Sequence, residues 1–165
     1  MRSRSGAVGP GFAEAYSAML IDGVNNAGAM PTLDAMVRFT AQRQNLIAHN
    51  IANVSTPDFI QTDVSVSSFQ ANLRDAVEER RDRSDGAFGS LQIRSTNEVR
   101  VGRRGGLELT PQTARPGVLA HDRNNRDIER LMQDLVENVG AFRTATELLN
   151  QQTGMLRRAM SEQAG

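Results

Sequence analysis

The chain has 165 residues, of which 19 are basic and 19 acidic, with 39% hydrophobic but only 4% aromatic side chains. The balanced charge gives no net field to recruit nucleic acid or an anionic membrane, and the absence of cysteine excludes disulfides and thiolate metal sites. Few aromatic residues and 14 glycines predict a thin core and an extended molecule with at most one modest domain.

The first thirty residues are expected to form a flexible N-terminal extension. Pro10, Glu14 and Asp22 interrupt every apolar run that could serve as a cleaved secretory signal. No stretch approaches the roughly eighteen apolar residues that a membrane span needs. Because the first long helical pattern starts next to Met30, we expect residues 1–29 to be either dispensable or placed before the true start of the protein.

Residues 31–57 predict the first long helix, since their apolar side chains recur at spacings of three and four. Thr32 is the expected N-cap, because its hydroxyl can accept a hydrogen bond from a backbone N–H of the first turn. Pro57 is expected to end the helix, because the residue before a proline is driven out of the helical region.

The middle segment, residues 58–122, is rich in glycine, proline and polar residues, which predicts an irregular and partly disordered or weakly β region. A short helix is expected where Phe69, Leu73 and Val77 follow one another at a spacing of four. Three short segments in which apolar and polar residues alternate predict small strands: residues 91–96, 99–101 and 107–110.

Residues 127–160 predict one uninterrupted helix of roughly 50 Å. A compact chain of this length would be only about 40 Å across. The helix must therefore pair with another long helix, or other subunits must cover it. Every seventh residue along it forms an apolar heptad line that we name the assembly stripe: Ile128, Leu135, Phe142, Leu149 and Leu156.

Together, residues 31–57 and 123–162 predict a helical axial domain. The expected fold is mainly α: an elongated, coiled-coil-like antiparallel pair of long N- and C-terminal helices, joined by a short helix and an irregular middle. If the start of the first helix lies opposite the end of the last helix, the numbers of two residues that face each other add to about 194. Ile51 then lies near Phe142.

Residue types that usually carry catalysis form no recognisable site. His49, on the first helix, and His121, in a loop, lack a second ligand at a metal-binding spacing, so we expect no metal, cofactor or enzyme activity. Acidic residues interleave with the arginines of the middle, and no aromatic accompanies them, which favours a solvated loop over an RNA-binding surface. Those arginines are Arg80, Arg81, Arg83, Arg100, Arg103 and Arg104.

The stretch AQRQNLIAHNIANVSTPDF resembles the signature of the bacterial flagellar rod family, in which an Arg-Gln helix runs into Asn-Ile-Ala-Asn and then Thr-Pro-Gly-Tyr. The start of the last helix, DRNNRDIERL, is similar to the family's second motif. Asp58 stands where the family has Gly, Phe59 where it has Tyr, and Arg123 where it has Gly. The matched residues expected to form the interface are Arg43, Gln44, Asn50, Ile51, Asn53, Thr56 and Pro57.

This resemblance implies a structural subunit of the flagellar basal-body rod, of the proximal type, located in the periplasm-spanning rod. It implies export by the flagellar type III apparatus, self-association, and contact with other rod proteins and the membrane-ring base, with no nucleic acid partner and no membrane insertion. The corner from Asn50 to Pro57 is the expected interface, although both of its asparagines could instead bond the last carbonyls of the helix.

Two alternatives to the rod stay open on the residues alone. One is a cytosolic adaptor that dimerises through the C-terminal heptads. The other is an RNA binder that uses the arginine-rich middle. The short middle segment favours a rod subunit over the hook and filament proteins of the same family, in which large outer domains occupy this place.

Overall fold

The computed structural model describes residues 28–84, 89–102, 106–113 and 128–163. The expectations for residues 1–27, His121, Arg123 and the Arg103–Arg104 pair lie outside these ranges. Three helices and four short strands are found within them: α1 Met30–Asn53, β1 Thr62–Asp63, α2 Val66–Ser84, β2 Val99–Val101, β3 Leu107–Leu109, β4 Gln112–Thr113 and α3 Ile128–Gln163.

The predicted fold class is confirmed. The described chain is mainly helical, the long N- and C-terminal helices pack against each other, and a short strand-containing segment lies between them. No helix in the described ranges is both long and apolar enough to cross a membrane. The division of the chain into extension, axial domain and middle segment stays a prediction.

Helix α1 begins earlier than its sequence predicts. Ala29 occupies the N-cap position without a side-chain hydrogen bond, and the Leu33 amide donates to the Ala29 carbonyl oxygen at 3.0 Å. The expectation that Thr32 caps the helix is therefore wrong. Pro31 explains the earlier start, because in the first turn its missing N–H costs nothing and its fixed φ is already helical.

Helix α3 has 36 residues and is about 54 Å long, which confirms the single long C-terminal helix. It runs antiparallel to α1: the Asn138 side-chain amide donates to the Thr40 carbonyl oxygen at 2.8 Å, and Arg43 pairs with Asp134. These paired numbers add to about 178, so the expected register is wrong by roughly sixteen residues, or ~24 Å along the helix. Polar contacts between the helices set the register, since buried polar groups require partners.

This register leaves part of α3 without α1 beside it. Met30, the first residue of α1, is level with about residue 148 of α3. The last fifteen or so residues of α3, about 22 Å of helix, continue past the start of α1. We call the segment from Leu148 to Met160 the projecting end.

The main hydrophobic cluster lies between α1, α2 and the strands. Phe39 of α1 and Phe69 of α2 stack with ring centroids 3.9 Å apart and an interplanar angle of 2°. The remaining members come from all parts of the described chain up to β3: Ala35, Val64, Leu73, Val99 and Leu107. Helix α2 is thus anchored to α1 through aromatic contact, and it is several residues longer than its sequence pattern predicts.

Two of the three predicted strand pieces are confirmed. β2 and β3 pair antiparallel, with Val99 opposite Leu109. Residues 91–96 form no strand, so that expectation is wrong. β1 and β4, which the sequence does not indicate, pair antiparallel with Thr62 opposite Thr113.

Candidate functional site

Arg43, a residue of the flagellar-type motif, joins three parts of the fold. Its guanidinium is buried and makes two hydrogen bonds to Asp63 of β1, from Nε to Oδ1 at 3.1 Å and from Nη2 to Oδ2 at 2.8 Å. The same Nη2 reaches Asp134 Oδ1 of α3 at 3.4 Å. The planar guanidinium can face two carboxylates at once, which a lysine ammonium does less well.

Burial by itself would lower the pKa of the Arg43 guanidinium. The hydrogen bond and the negative charge of Asp63, followed by those of Asp134, outweigh that effect and raise the pKa above its ordinary value. A raised folded-state pKa stabilises the fold wherever the unfolded arginine is also protonated, and this contribution is lost only as pH rises through the raised value. Arg43 therefore keeps its positive charge at every physiological pH.

Three side-chain amides, two on α1 and one on α2, bind the backbone of the middle segment, to which α2 itself belongs. Asn50, only 2% exposed, donates to the Thr62 carbonyl oxygen at 2.8 Å and accepts from the Thr62 N–H at 3.2 Å. Asn72 makes the same pair of bonds to the backbone of Arg94, at 2.6 and 3.2 Å.

Gln42 completes this arrangement at β3. Its amide donates to the Leu107 carbonyl oxygen at 2.6 Å and accepts from the Leu109 N–H at 3.2 Å. In each case a carboxamide supplies the donor and acceptor that a neighbouring strand would otherwise present. We call Gln42, Asn50 and Asn72 the amide anchors. Sequence reasoning missed this role, and the only available signal was an amide on the core-facing side of a helix.

Some residues of the predicted interface make hydrogen bonds within the chain, and others are exposed to solvent. Asn53 donates to the His49 carbonyl oxygen at 2.8 Å, so it bonds a late carbonyl of α1, whereas Asn50 bonds Thr62. Ile51 and Gln44 are half-buried, while Thr56 and Pro57 are exposed. The structure thus separates the motif into residues that hold the turn and residues available to a partner, and their use as an interface stays a prediction.

Asp58, which stands where the rod family has glycine, adopts the left-handed conformation with φ at 58°. Glycine takes this conformation without cost, whereas other L-residues meet a steric penalty that is smaller for aspartate than for most. The ring of the next residue, Phe59, packs with the His49 ring in a T-shaped arrangement, with centroids 5.6 Å apart. The turn therefore keeps a glycine-type geometry with a residue that is strained in it.

The assembly stripe lies at the edge of the contact between α1 and α3. Ile128 is 43% exposed, and the other four stripe residues are half-buried: Leu135, Phe142, Leu149 and Leu156. The most buried line of α3 is instead Leu131, Asn138 and Ala145, three positions further along the heptad. The stripe is thus covered on one flank only, and its use in assembly stays a prediction.

Apolar side chains on α3 are exposed on two separate lines. Near its start, Met132 and Val136 are exposed together with Ile128, and Val136 is 71% exposed. Near its end, Leu148 and Met155 are 44% and 42% exposed. In the described ranges, no group of three His, Asp or Glu side chains could hold a metal ion.

Two long terminal helices that pack antiparallel, one of which carries exposed apolar lines in the described ranges, define the class: a mainly α protein with a short strand-containing middle. No protein-family model matches the chain. The chain is 34% identical, over 100 residues, to the flagellar basal body rod protein FlgB of Borrelia hermsii, covering 58% of this chain and 68% of that protein. The chain belongs to the FlgB family of flagellar basal body rod proteins.

Proposed function

We propose that this chain is a structural, non-enzymatic subunit of the proximal rod of the bacterial flagellar basal body. The observation that carries the proposal is the 34% identity to a FlgB rod protein over 100 residues. In this function the chain polymerises through its terminal helices and forms part of the drive shaft for motility. Its partners are further copies of itself, other rod proteins, the membrane-ring base and the type III export apparatus.

The exposed lines of α3 supply the driving force for this assembly. Each large apolar side chain that becomes fully buried contributes roughly 1.5–3 kcal/mol. Ile128, Met132 and Val136 are exposed at one end of the helix, and Leu148 and Met155 at the other. Neighbouring subunits in a rod would cover both groups of side chains. They would also cover the exposed side of the assembly stripe.

The joint around Arg43 suits a subunit that transmits torque. It ties α1 to β1 and α3 through two carboxylates, and the amide anchors fix the middle segment to the helices. A load applied to the middle segment would then pass directly into α1. The exposed Thr56–Pro57 corner is the part of the motif that we assign to contact with a neighbouring subunit.

A complementation experiment tests the proposal. In the native organism, deletion of the gene is expected to abolish swimming, and an epitope-tagged copy is expected to restore it and to appear in purified basal bodies. Normal swimming after deletion would refute the rod function. If the purified protein is a discrete dimer in light scattering and the protein in cells is found only in the cytosolic fraction, the adaptor is favoured instead.

A further inference from the structure

A groove of about 800 Å³ runs between α2 and α3 above α1. Its floor is apolar and includes Met36, Phe39, Leu73 and Val77. Arg74 of α2 and Glu137 of α3 are exposed on opposite rims, so the groove opens to solvent. The apolar floor with charged rims is the form that receives an amphipathic helix.

The charge of the α3 rim is acidic. Glu137 is exposed and accepts a hydrogen bond from Gln133 at 2.9 Å, whereas Asp134, one turn before it, is already paired with Arg43. The projecting end carries the opposite charge: Arg157 and Arg158 are adjacent and exposed. These arginines lie next to Met155, so the same end offers both apolar and basic groups.

The dimensions of the two surfaces also agree. On α1, the groove is lined from Thr32 to Arg43, which is about 17 Å of helix. The projecting end, from Leu148 to Met160, is about 18 Å long. Leu148 and Met155 are seven residues apart and therefore point to the same side of α3.

We propose that the groove receives the projecting end of a second copy of this chain. A straight helix cannot turn back on itself, and Met155 lies roughly 27 Å along α3 from Glu137 on the rim of its own groove. The occupant must therefore be another molecule. A protruding end that fits a groove elsewhere on the same chain makes a head-to-tail contact, which generates an open filament, or a ring where the rotation between copies closes. The inference rests on the proposed rod function and names the contact by which successive copies join.

Cysteine crosslinking tests this contact, because the natural chain contains no cysteine. Purified Val77→Cys and Met155→Cys chains are mixed under mild oxidation. The mixed disulfide is expected to form at least tenfold faster than the Val77→Cys homodimer, and a chain carrying both substitutions is expected to give a ladder of oligomers. Arg74→Cys on the rim provides a second groove probe should Val77→Cys fail to fold.

Ala48→Cys is the matched control, since Ala48 is exposed on α1 and outside the groove lining. It is expected to crosslink to Met155→Cys at least tenfold more slowly. Reversing both arginines, Arg157→Glu with Arg158→Glu, is expected to slow the mixed disulfide at least fivefold, and Glu137→Arg in the groove copy is expected to restore it.

Equal rates for the groove and control positions, or a homodimer as fast as the mixed species, would overturn the proposal. So would crosslinking of the groove to a different rod protein in cells but not to this chain. A chain that restores swimming yet never crosslinks would remove the groove contact and leave the rod function standing. A chain that crosslinks as expected but is absent from basal bodies would remove the rod function instead.

Discussion

Replacement of Asn50 tests whether the amide anchors hold the middle segment. Asn50→Ala removes two hydrogen bonds to Thr62, each with a net value of about 1 kcal/mol. Thr62 is half-buried, so water can reach its freed backbone groups in part. We expect a loss of about 2 kcal/mol of unfolding free energy, or a fall in Tm of roughly 4–8 °C for a chain of this size.

Two further variants separate the hydrogen bonds from side-chain volume. Asn50→Asp keeps the size and the acceptor for the Thr62 N–H, but its second oxygen faces the Thr62 carbonyl oxygen, so it should destabilise at least as much as alanine. Asn45→Ala, at an exposed position of the same helix, should change the unfolding free energy by less than about 0.5 kcal/mol.

Urea denaturation measures these free energies, and limited proteolysis shows where the chain opens. Cleavage within residues 62–113 should accelerate in Asn50→Ala and Asn50→Asp but not in Asn45→Ala, because β1 then keeps only the Arg43–Asp63 pair as its side-chain link to α1. If Asn50→Asp is as stable as the natural chain, or if all three variants behave alike, the bonds to Thr62 contribute little and the anchoring argument fails.

Three further predictions address the joint, the turn and the stripe. Arg43→Met should cost about 3 kcal/mol in urea denaturation, because Asp63 and Asp134 lose their shared cation; an unchanged midpoint would contradict the role of the joint. Asp58→Gly should raise stability by about 0.5–1 kcal/mol by relieving the left-handed strain, whereas Asp58→Ala should lower it, and the reverse order in thermal melts would refute the strain argument. Leu149→Glu should abolish rod formation and swimming, since assembly would bury an unpaired carboxylate, while export into the medium continues; cells that swim normally would show that the stripe is no assembly surface.

The helices could be predicted from the sequence because their information is local. Apolar residues at spacings of three, four and seven mark α1 and α3 without reference to the rest of the chain. The start of α1 was misplaced, because Thr32 has good capping chemistry, yet Pro31 fits the first turn better.

The register and the anchors could not be predicted, because each depends on residues far apart in the chain. Asn138 and Thr40, which fix the register, are 98 positions apart. Gln42 and Leu107 are 65 positions apart. Nothing in the pattern of α1 indicates that Gln42 faces a strand. Matching the helix ends instead gave a pairing that would have left the polar groups of Arg43 and Asn138 without these partners.

The surroundings of the assembly stripe could be predicted only in part from the sequence. Its heptad period was visible in the sequence, but the side of α3 that α1 covers was not. Asn138 directs α1 toward the line that includes Leu131 and Ala145, so the stripe is left half-covered. A polar residue inside a heptad pattern therefore determined which apolar line became the intramolecular contact.

The amide anchors bind the peptide group, which every residue other than proline presents in the same way. Asn50 and Asn72 therefore do not read the side chains of Thr62 and Arg94. Evolution can rewrite the middle segment at these positions without releasing it from the helices, provided that proline is avoided. The helices can hold the backbone whatever side chains it carries at these positions. Related subunits could therefore differ in their outer surfaces while they keep the same pair of long helices.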